Sequence, residues 1–457
     1  MRFLRSSGSF RTLAFVCPLI AACGGSAFGL GGSPDGGAGD GSSSSSSGSG
    51  GSSGAGSGSS SGTSSSSSGS SGSGSSSGSS SSSGSTGDSG PTCTPLASGA
   101  KSVYVDQRFA GSIPTGTQAC PFTTILEGLK AAASLNGTIT VHVAGSSPAL
   151  VYMESSAVAV ASNIVLQGDG PSHTTISASA ACGNASLLCA VMIAGGGTVD
   201  GFTVTSPGGD GIVAAAANTA PVVSNVFANG SKGNGILALG GVEIGPNTAV
   251  DGNGSNGVES PQTAGGVLHV VGTANSFDKN MGNGIDVNGG ATLNFEGGTA
   301  SGDFQGIRLA GVAPSGGSPV THTITALVAQ NNTGPGGVVA YNGQTIKMRS
   351  STLTKNSGVG LFYNFLNGST LDIGDATNAG NNTFGGTTAR NGGAGLRLCG
   401  VSAADSQNAG SDSWANCAPT QTFLACDTAP ATYSDVLYAP ALSAGVPVVA
   451  APCSVGP

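Results

Sequence analysis

Two carboxylates and a guanidinium recur at one position of a repeated pattern. Glu259, Asp286 and Arg308 each stand two residues after a Gly that is followed by a branched aliphatic residue. If the chain after each Gly is a strand and the strands stack in register, these side chains occupy consecutive rungs about 4.8 Å apart on an outward face. Such a set can do lyase chemistry: carboxylates, alone or through a calcium ion, neutralise an acidic sugar while a basic group takes the α-proton. It is also what a ladder of surface ion pairs looks like, the reading that the ordinary inventory of a folded surface favours. The catalytic candidates are therefore Glu259, Asp286 and Arg308, for a lyase or a hydrolase.

Just upstream, Asp251, Asn253, Ser255 and Glu259 offer oxygen ligands in the alternating manner of a calcium loop. The loop departs from the helix-loop-helix calcium motif, because Gln262 stands where a closing Glu belongs. A Gly/Asn-rich corner without metal accounts for the same residues. No cofactor is otherwise indicated: there is no Cys-x-x-Cys pair, and His142, His173, His269 and His322 are scattered. Lys347 and Arg349 alternate with Ile346 and Met348, as on a strand with one solvated face.

The elements that must position these groups follow from the spacing of the glycines. Gly followed by a branched aliphatic residue returns at Gly211, Gly235, Gly257, Gly284, Gly306, Gly337, Gly360 and Gly395, at intervals of 24, 22, 27, 22, 31, 23 and 35 residues. Most intervals are near one short period and the rest are that period with a loop inserted, which is the arithmetic of a solenoid. Around Gly284, alternation sends Phe277, Ile285 and Val287 to one face and Asp286 to the other. Asn280 and Asn356 precede their Gly by four residues, and Asn229 and Asn331 by six. They suit corners that need a left-handed residue or stacked amides. No single unit can bury its apolar face, so the units must stack. The outward residue two places after each Gly reads Val213, Leu237, Glu259, Asp286, Arg308, Val339, Phe362 and Arg397.

Composition agrees. Of 457 residues 81 are Gly, 8% are charged and one is Trp, so small branched residues must fill the core. A formal charge of −8, with no basic run beyond residue 11, disfavours nucleic acid and anionic membranes as partners. The chain is expected to act as a monomer.

At the N-terminus Arg2, Arg5 and Arg11 precede an apolar run from Leu13 to Ala22 that is too short to span a bilayer. Ile20-Ala21-Ala22-Cys23 resembles a bacterial lipobox, which implies a signal peptide over 1–22, lipidation of Cys23 and, with Gly24 following, an outer-membrane destination facing outward. An ordinary secretory peptide is the alternative. Residues 23–92 then read as a disordered Gly/Ser-rich tether with a root-mean-square reach of roughly 45 Å. Inside it, Gly87-Asp88-Ser89-Gly90 matches a fragment of a serine-protease motif, but no folded His/Asp scaffold precedes it.

Beyond the tether, eight cysteines in an exported chain read as disulfides. They fall into three local groups: Cys93 with Cys120, Cys182 with Cys189, and Cys399, Cys417, Cys426 and Cys453 stapling the C-terminal end.

Residues 101–180 open with the strand Val103-Tyr104-Val105-Asp106. Pro121-Phe122-Thr123-Thr124-Ile125 then leads into a helical turn from Leu126 to Ala133, and Thr138 to Val143 and Ile164 to Leu166 follow as strands. This order resembles the N-terminal segment of right-handed parallel β-helix proteins of the pectate-lyase-like superfamily, which includes many bacterial surface proteins. The resemblance implies an all-β right-handed parallel β-helix over 93–400, with the helix capping one end and residues 401–457, with Trp414 and Phe423, capping the other. It carries fold and not activity, since the lyases' calcium-binding aspartates and catalytic arginine have no residue-by-residue match here. The expected function is a membrane-anchored, surface-displayed β-helix that binds glycans or partner surfaces, or builds the envelope, without catalysis. The alternative is a polysaccharide lyase or glycoside hydrolase.

Overall fold

The computed structural model describes residues 92–399, except 112, 217, 262–265, 312–318, 342–343, 365–368, 375–379, 386–388, 390 and 393–394, together with the strand Ser413–Trp414. Residues 1–91, read from the sequence as a signal peptide and tether, and almost all of 401–457 lie outside it. So do the sulfurs of the four C-terminal cysteines.

The described chain is a parallel β-solenoid. An 11-stranded sheet runs from Val158–Val160 through Asp210–Ala215, Ile236–Leu239, Val258–Ser260, Ile285–Asn288, Ile307–Ala310, Gly336–Ala340 and Val359–Asn364 to Leu396–Cys399. A 13-stranded sheet begins at Ser102–Val105 and ends at Leu371–Asp372, and a 5-stranded sheet from Gly298–Thr299 to Ser413–Trp414 forms the third side. The aliphatic residue after each recurring Gly makes one continuous column: Ile212, Ile236, Val258, Ile285, Ile307, Val338, Leu361 and Leu396 are register partners, and all are buried. Each is worth about 1.5–3 kcal/mol of burial. Stacking forces that choice, because every turn of the coil must fill the same slot above the one below.

The corners carry a second column. Oδ1 of Asn253, Asn280, Asp303, Asn332, Asn356 and Asn391 each accepts a backbone N–H from the turn before, at 2.7–3.2 Å. Nδ2 of Asn253, Asn280, Asn332, Asn356 and Asn391 donates to a backbone carbonyl at 3.0–3.1 Å. These bonds satisfy backbone groups that the bend takes out of the sheets. Asn280 and Asn356 thus serve as stacked amides. Asn331 takes the left-handed role with φ 59°, and Asn229 accepts from Asp251 N at 3.0 Å.

At the N-terminal end the helix Ile125–Ala132 starts one residue earlier than Leu126 and packs Ile125, Leu129 and Ala132 into the core. Thr124 caps it, accepting from Glu127 N at 3.2 Å, and Glu154 accepts the Ile125 N–H at 2.8 Å. Cys93–Cys120 and Cys182–Cys189 are disulfides with Cα atoms 5.6 and 5.8 Å apart, as their grouping in the sequence predicts. No helix among the described residues is long and apolar enough to cross a membrane.

Candidate functional site

The outward column of the 11-stranded sheet has the register expected from the glycines: Leu237, Glu259, Asp286, Arg308, Val339, Phe362 and Arg397 are successive partners. Its two ends differ. Ala180–Cys182 turns back antiparallel on Asn184–Ala194, and the disulfide-closed hairpin buries Val213 and Leu237 in a small cluster with Cys182, Cys189 and Met192. These outward residues are therefore core, and the polar stretch of the face begins at Glu259.

Asp286 is not a solvated carboxylate. It is buried, although its strand position faces out, because polar neighbours cover it. Arg308 Nη1 donates to Oδ1 at 3.1 Å and to Oδ2 at 3.0 Å, Asn283 Nδ2 donates to Oδ2 at 3.1 Å, and Asn288 Nδ2 donates to Oδ1 at 3.1 Å. Burial pushes its pKa above the usual carboxylate range, against the pull of Arg308 and the two amides. The Arg308 side chain keeps 34% of its surface exposed and also donates to Asn288 Oδ1 at 3.3 Å. The guanidinium is thus fixed on its inner side and open on its outer side.

Glu259 is held more lightly, by Asn256 Nδ2 at 3.4 Å and by the Asn234 side chain. Burial pushes its pKa up, and the nearby Asp286 and Asp210 charges add to that while the amides oppose it. Burial raises Asp210 as well, although Asn234 N donates to it at 2.7 Å. A carboxyl with a raised pKa beside a fixed cation can bind an acidic ligand, and can also hold a proton for transfer.

The amides that shape this face form a row of their own. Asn234 Oδ1 accepts from Asn256 N at 3.0 Å, and Asn256 Oδ1 accepts from Asn283 N at 2.8 Å. The sequence reading of the column passes over them. Their signal was present: Asp210, Asn234, Asn256, Asn283 and Gln305 each stand immediately before a repeat Gly.

Toward the C-terminal side, Val339 is buried, Tyr341 and Phe362 rings lie 5.6 Å apart, and the Arg397 guanidinium sits 5.8 Å from the Phe362 ring centre. Tyr363, in contrast, points into the core and donates its hydroxyl to Gln344 O.

The residues of the calcium-loop pattern go to different uses. Asn253 is in the buried corner ladder, and Asp251 accepts from the Ser276 hydroxyl and from Asp278 N, each at 2.8 Å to Oδ1. Glu259 belongs to the sheet face with Asn256. Ser255 lies at the half-buried corner between them. Among the described residues, no group of three His, Cys, Asp or Glu side chains is placed to hold a metal ion. Of the expected basic pair, Lys347 is solvated, whereas Arg349 pairs with Asp372 at 2.7 Å and is largely covered.

No sequence-family profile and no curated protein matches the chain. Among solved structures it is similar to the A-module of the Azotobacter vinelandii mannuronan C-5 epimerase AlgE4, at 14% identity and a TM-score of 0.38, covering 64% of this chain and 89% of that one. It is also similar to the Dettilon tailspike protein (15%, TM-score 0.34, 71% and 70% covered) and to the catalytic domain of a GH87 α-1,3-glucanase (9%, TM-score 0.26, 64% and 64%). Superpositions this loose assign neither an activity nor a substrate. The register and the parallel pairing themselves make the chain a parallel β-helix protein.

Proposed function

We propose that the protein is an exported, lipid-anchored β-helix that binds an extracellular polysaccharide along the outer face of the 11-stranded sheet and does not cleave it. One observation carries this reading: Asp286, the central carboxylate, has both oxygens occupied by Arg308, Asn283 and Asn288. It serves to hold a partly exposed guanidinium rather than to move a proton. Beyond it the face offers Tyr341, Phe362 and Arg397, and with Arg308 this is the mix of cation and ring that recognises sugar carboxylates and apolar ring faces. The chain's low charge fits a short acidic segment of a glycan better than a long polyanion. The two disulfides support export, and the Ile20-Ala21-Ala22-Cys23 sequence supports an anchor at Cys23; metabolic labelling with palmitate, absent in Cys23→Ala, tests it.

The full chain is expected to be retained on immobilised uronic-acid polysaccharides. Arg308→Ala should lose roughly 10-fold or more in affinity, as for a charge-assisted hydrogen bond. Incubation with the same glycans should release no unsaturated or reducing ends. The raised carboxyl of Glu259 favours the enzyme reading, and product formation that disappears in Glu259→Gln would establish it instead.

A further inference from the structure

Asp303 occupies a rung of the corner ladder whose other buried members from Asn253 to Asn391 are asparagines. Its Oδ1 does the common work, accepting from Asn280 N at 2.7 Å and from Asn280 Nδ2 at 3.2 Å. Its Oδ2 stands where the others have an NH2. The repeat glycines supply a fixed reference point for this. A methyl group built on Gly235 would meet Asn253 Nδ2 at 2.6 Å, on Gly257 Asn280 Nδ2 at 2.8 Å, on Gly337 Asn356 Nδ2 at 2.8 Å, and on Gly360 Asn391 Nδ2 at 3.0 Å. On Gly284 it would meet Asp303 Oδ2 at 2.8 Å.

The acceptor is conserved in place as well. Beside Gly257 the same point lies 3.1 Å from Val250 O, which takes the Asn280 NH2, and beside Gly284 it lies 2.8 Å from Phe277 O. An ionised Asp303 would therefore set a carboxylate oxygen against a carbonyl oxygen. Oδ2 is fully buried and has no hydrogen-bond partner among the described residues. One proton on Oδ2 resolves both the repulsion and the missing bond.

We propose that Asp303 is a resident neutral acid that donates from Oδ2 to Phe277 O, and that its ionisation opens the ladder at the rung that carries Arg308. The charged groups acting on it from neighbouring turns, Asp278 and Asp251, are both acidic and oppose ionisation. Burial is the largest influence, and with these charges it outweighs the two hydrogen bonds from Asn280, which favour the carboxylate, and pushes the pKa up to about 8. The sign follows from linkage. The folded state binds this proton up to about pH 8 and the unfolded chain only to about pH 4. Stability from this group is complete at low pH, falls as pH rises between those values, and is gone above the upper one. The device would loosen the corner five residues before Arg308 in alkaline surroundings and keep it tight in neutral or acidic ones.

The test compares the full chain with Asp303→Asn in thermal melts from pH 5 to pH 9.5. The variant restores the common ladder, so it should gain on the parent steadily as pH rises and level off above about pH 8. Infrared difference spectra of the parent should show a protonated carboxyl band lost through the same alkaline range and missing in the variant. Parallel melting curves at all pH values, or a parent that shows no such band at pH 6, would overturn the proposal. A variant that fails to fold would leave the infrared titration of the parent to decide.

Discussion

The buried corner and the outer face of the adjoining sheet are built from the same polar residues put to opposite uses. In the corner, Asn253, Asn280, Asn332, Asn356 and Asn391 repeat one bonding pattern from turn to turn, broken only by Asp303 between Asn280 and Asn332, each oxygen to a backbone N–H and each NH2 to a carbonyl. On the face, Asn234, Asn256, Asn283 and Asn288 turn their amides toward Glu259 and Asp286, and each rung differs from the next. Repetition without change is what a coil needs for stability. Change from rung to rung, where buried amides hold the partly exposed Glu259 and Arg308 in place, is where recognition can be written.

The largest effect should come from the corner. Asn280→Leu removes one acceptor and one donor at once, stranding Asn253 N and Val250 O in a buried site. A loss of about 2–5 kcal/mol in denaturant unfolding is expected, whereas a loss below about 0.5 kcal/mol would show that the ladder is not structural.

A buried histidine sharpens the same contrast. His322 lies inside the coil, where Leu293 N donates to Nδ1 at 3.1 Å, so the ring proton sits on Nε2 and donates to Gln344 Oε1 at 3.1 Å. Burial pushes its pKa down to about 4 from an ordinary 6.5. The unfolded chain therefore takes up this proton first as pH falls. Its contribution is intact above about pH 6.5 and is lost toward pH 4, by roughly 3 kcal/mol for a shift of that size. The buried carboxyls have the opposite slope, so the comparison to make is between the parent and His322→Gln. The difference between their melting curves should shrink as pH drops from 7 to 4.

The smallest effect belongs to the solvated side of the 13-stranded sheet. His269 lies between Glu296 at 3.1 Å and Glu243 at 3.9 Å, and all three side chains keep a third or more of their surface in solvent. His269→Ala should change stability by no more than about 0.5 kcal/mol, measured by denaturant unfolding at low and high salt.

Much of this was legible in the sequence because a stacked coil imposes the same demand at every turn. The column Ile212 to Leu396 follows from the Gly spacing alone, and so does the register of Glu259, Asp286 and Arg308. Burial across the face was not legible. Val213 and Leu237 are covered by a hairpin whose disulfide was anticipated but whose direction depends on tertiary packing. Asp286 is covered by amides three residues before and two after it on its own turn and by an arginine one turn on, a combination that alternation cannot express. Asp303 escaped because the intervals vary: only the observed stacking aligns it with asparagines 23 residues before and 29 after it. The calcium-loop pattern arose because three different columns pass through one short stretch of chain.

The measurement that reaches the central claim most directly is a calorimetric titration of a uronic-acid oligosaccharide into the full chain and into Arg308→Ala, with melting curves taken on both. Binding by the outer face predicts an affinity lower by about 10-fold or more in the variant, titrated at a temperature where both proteins are folded, because taking the cation from buried Asp286 also lowers the melting temperature. Equal affinities in the two proteins, with the fold intact, would contradict it.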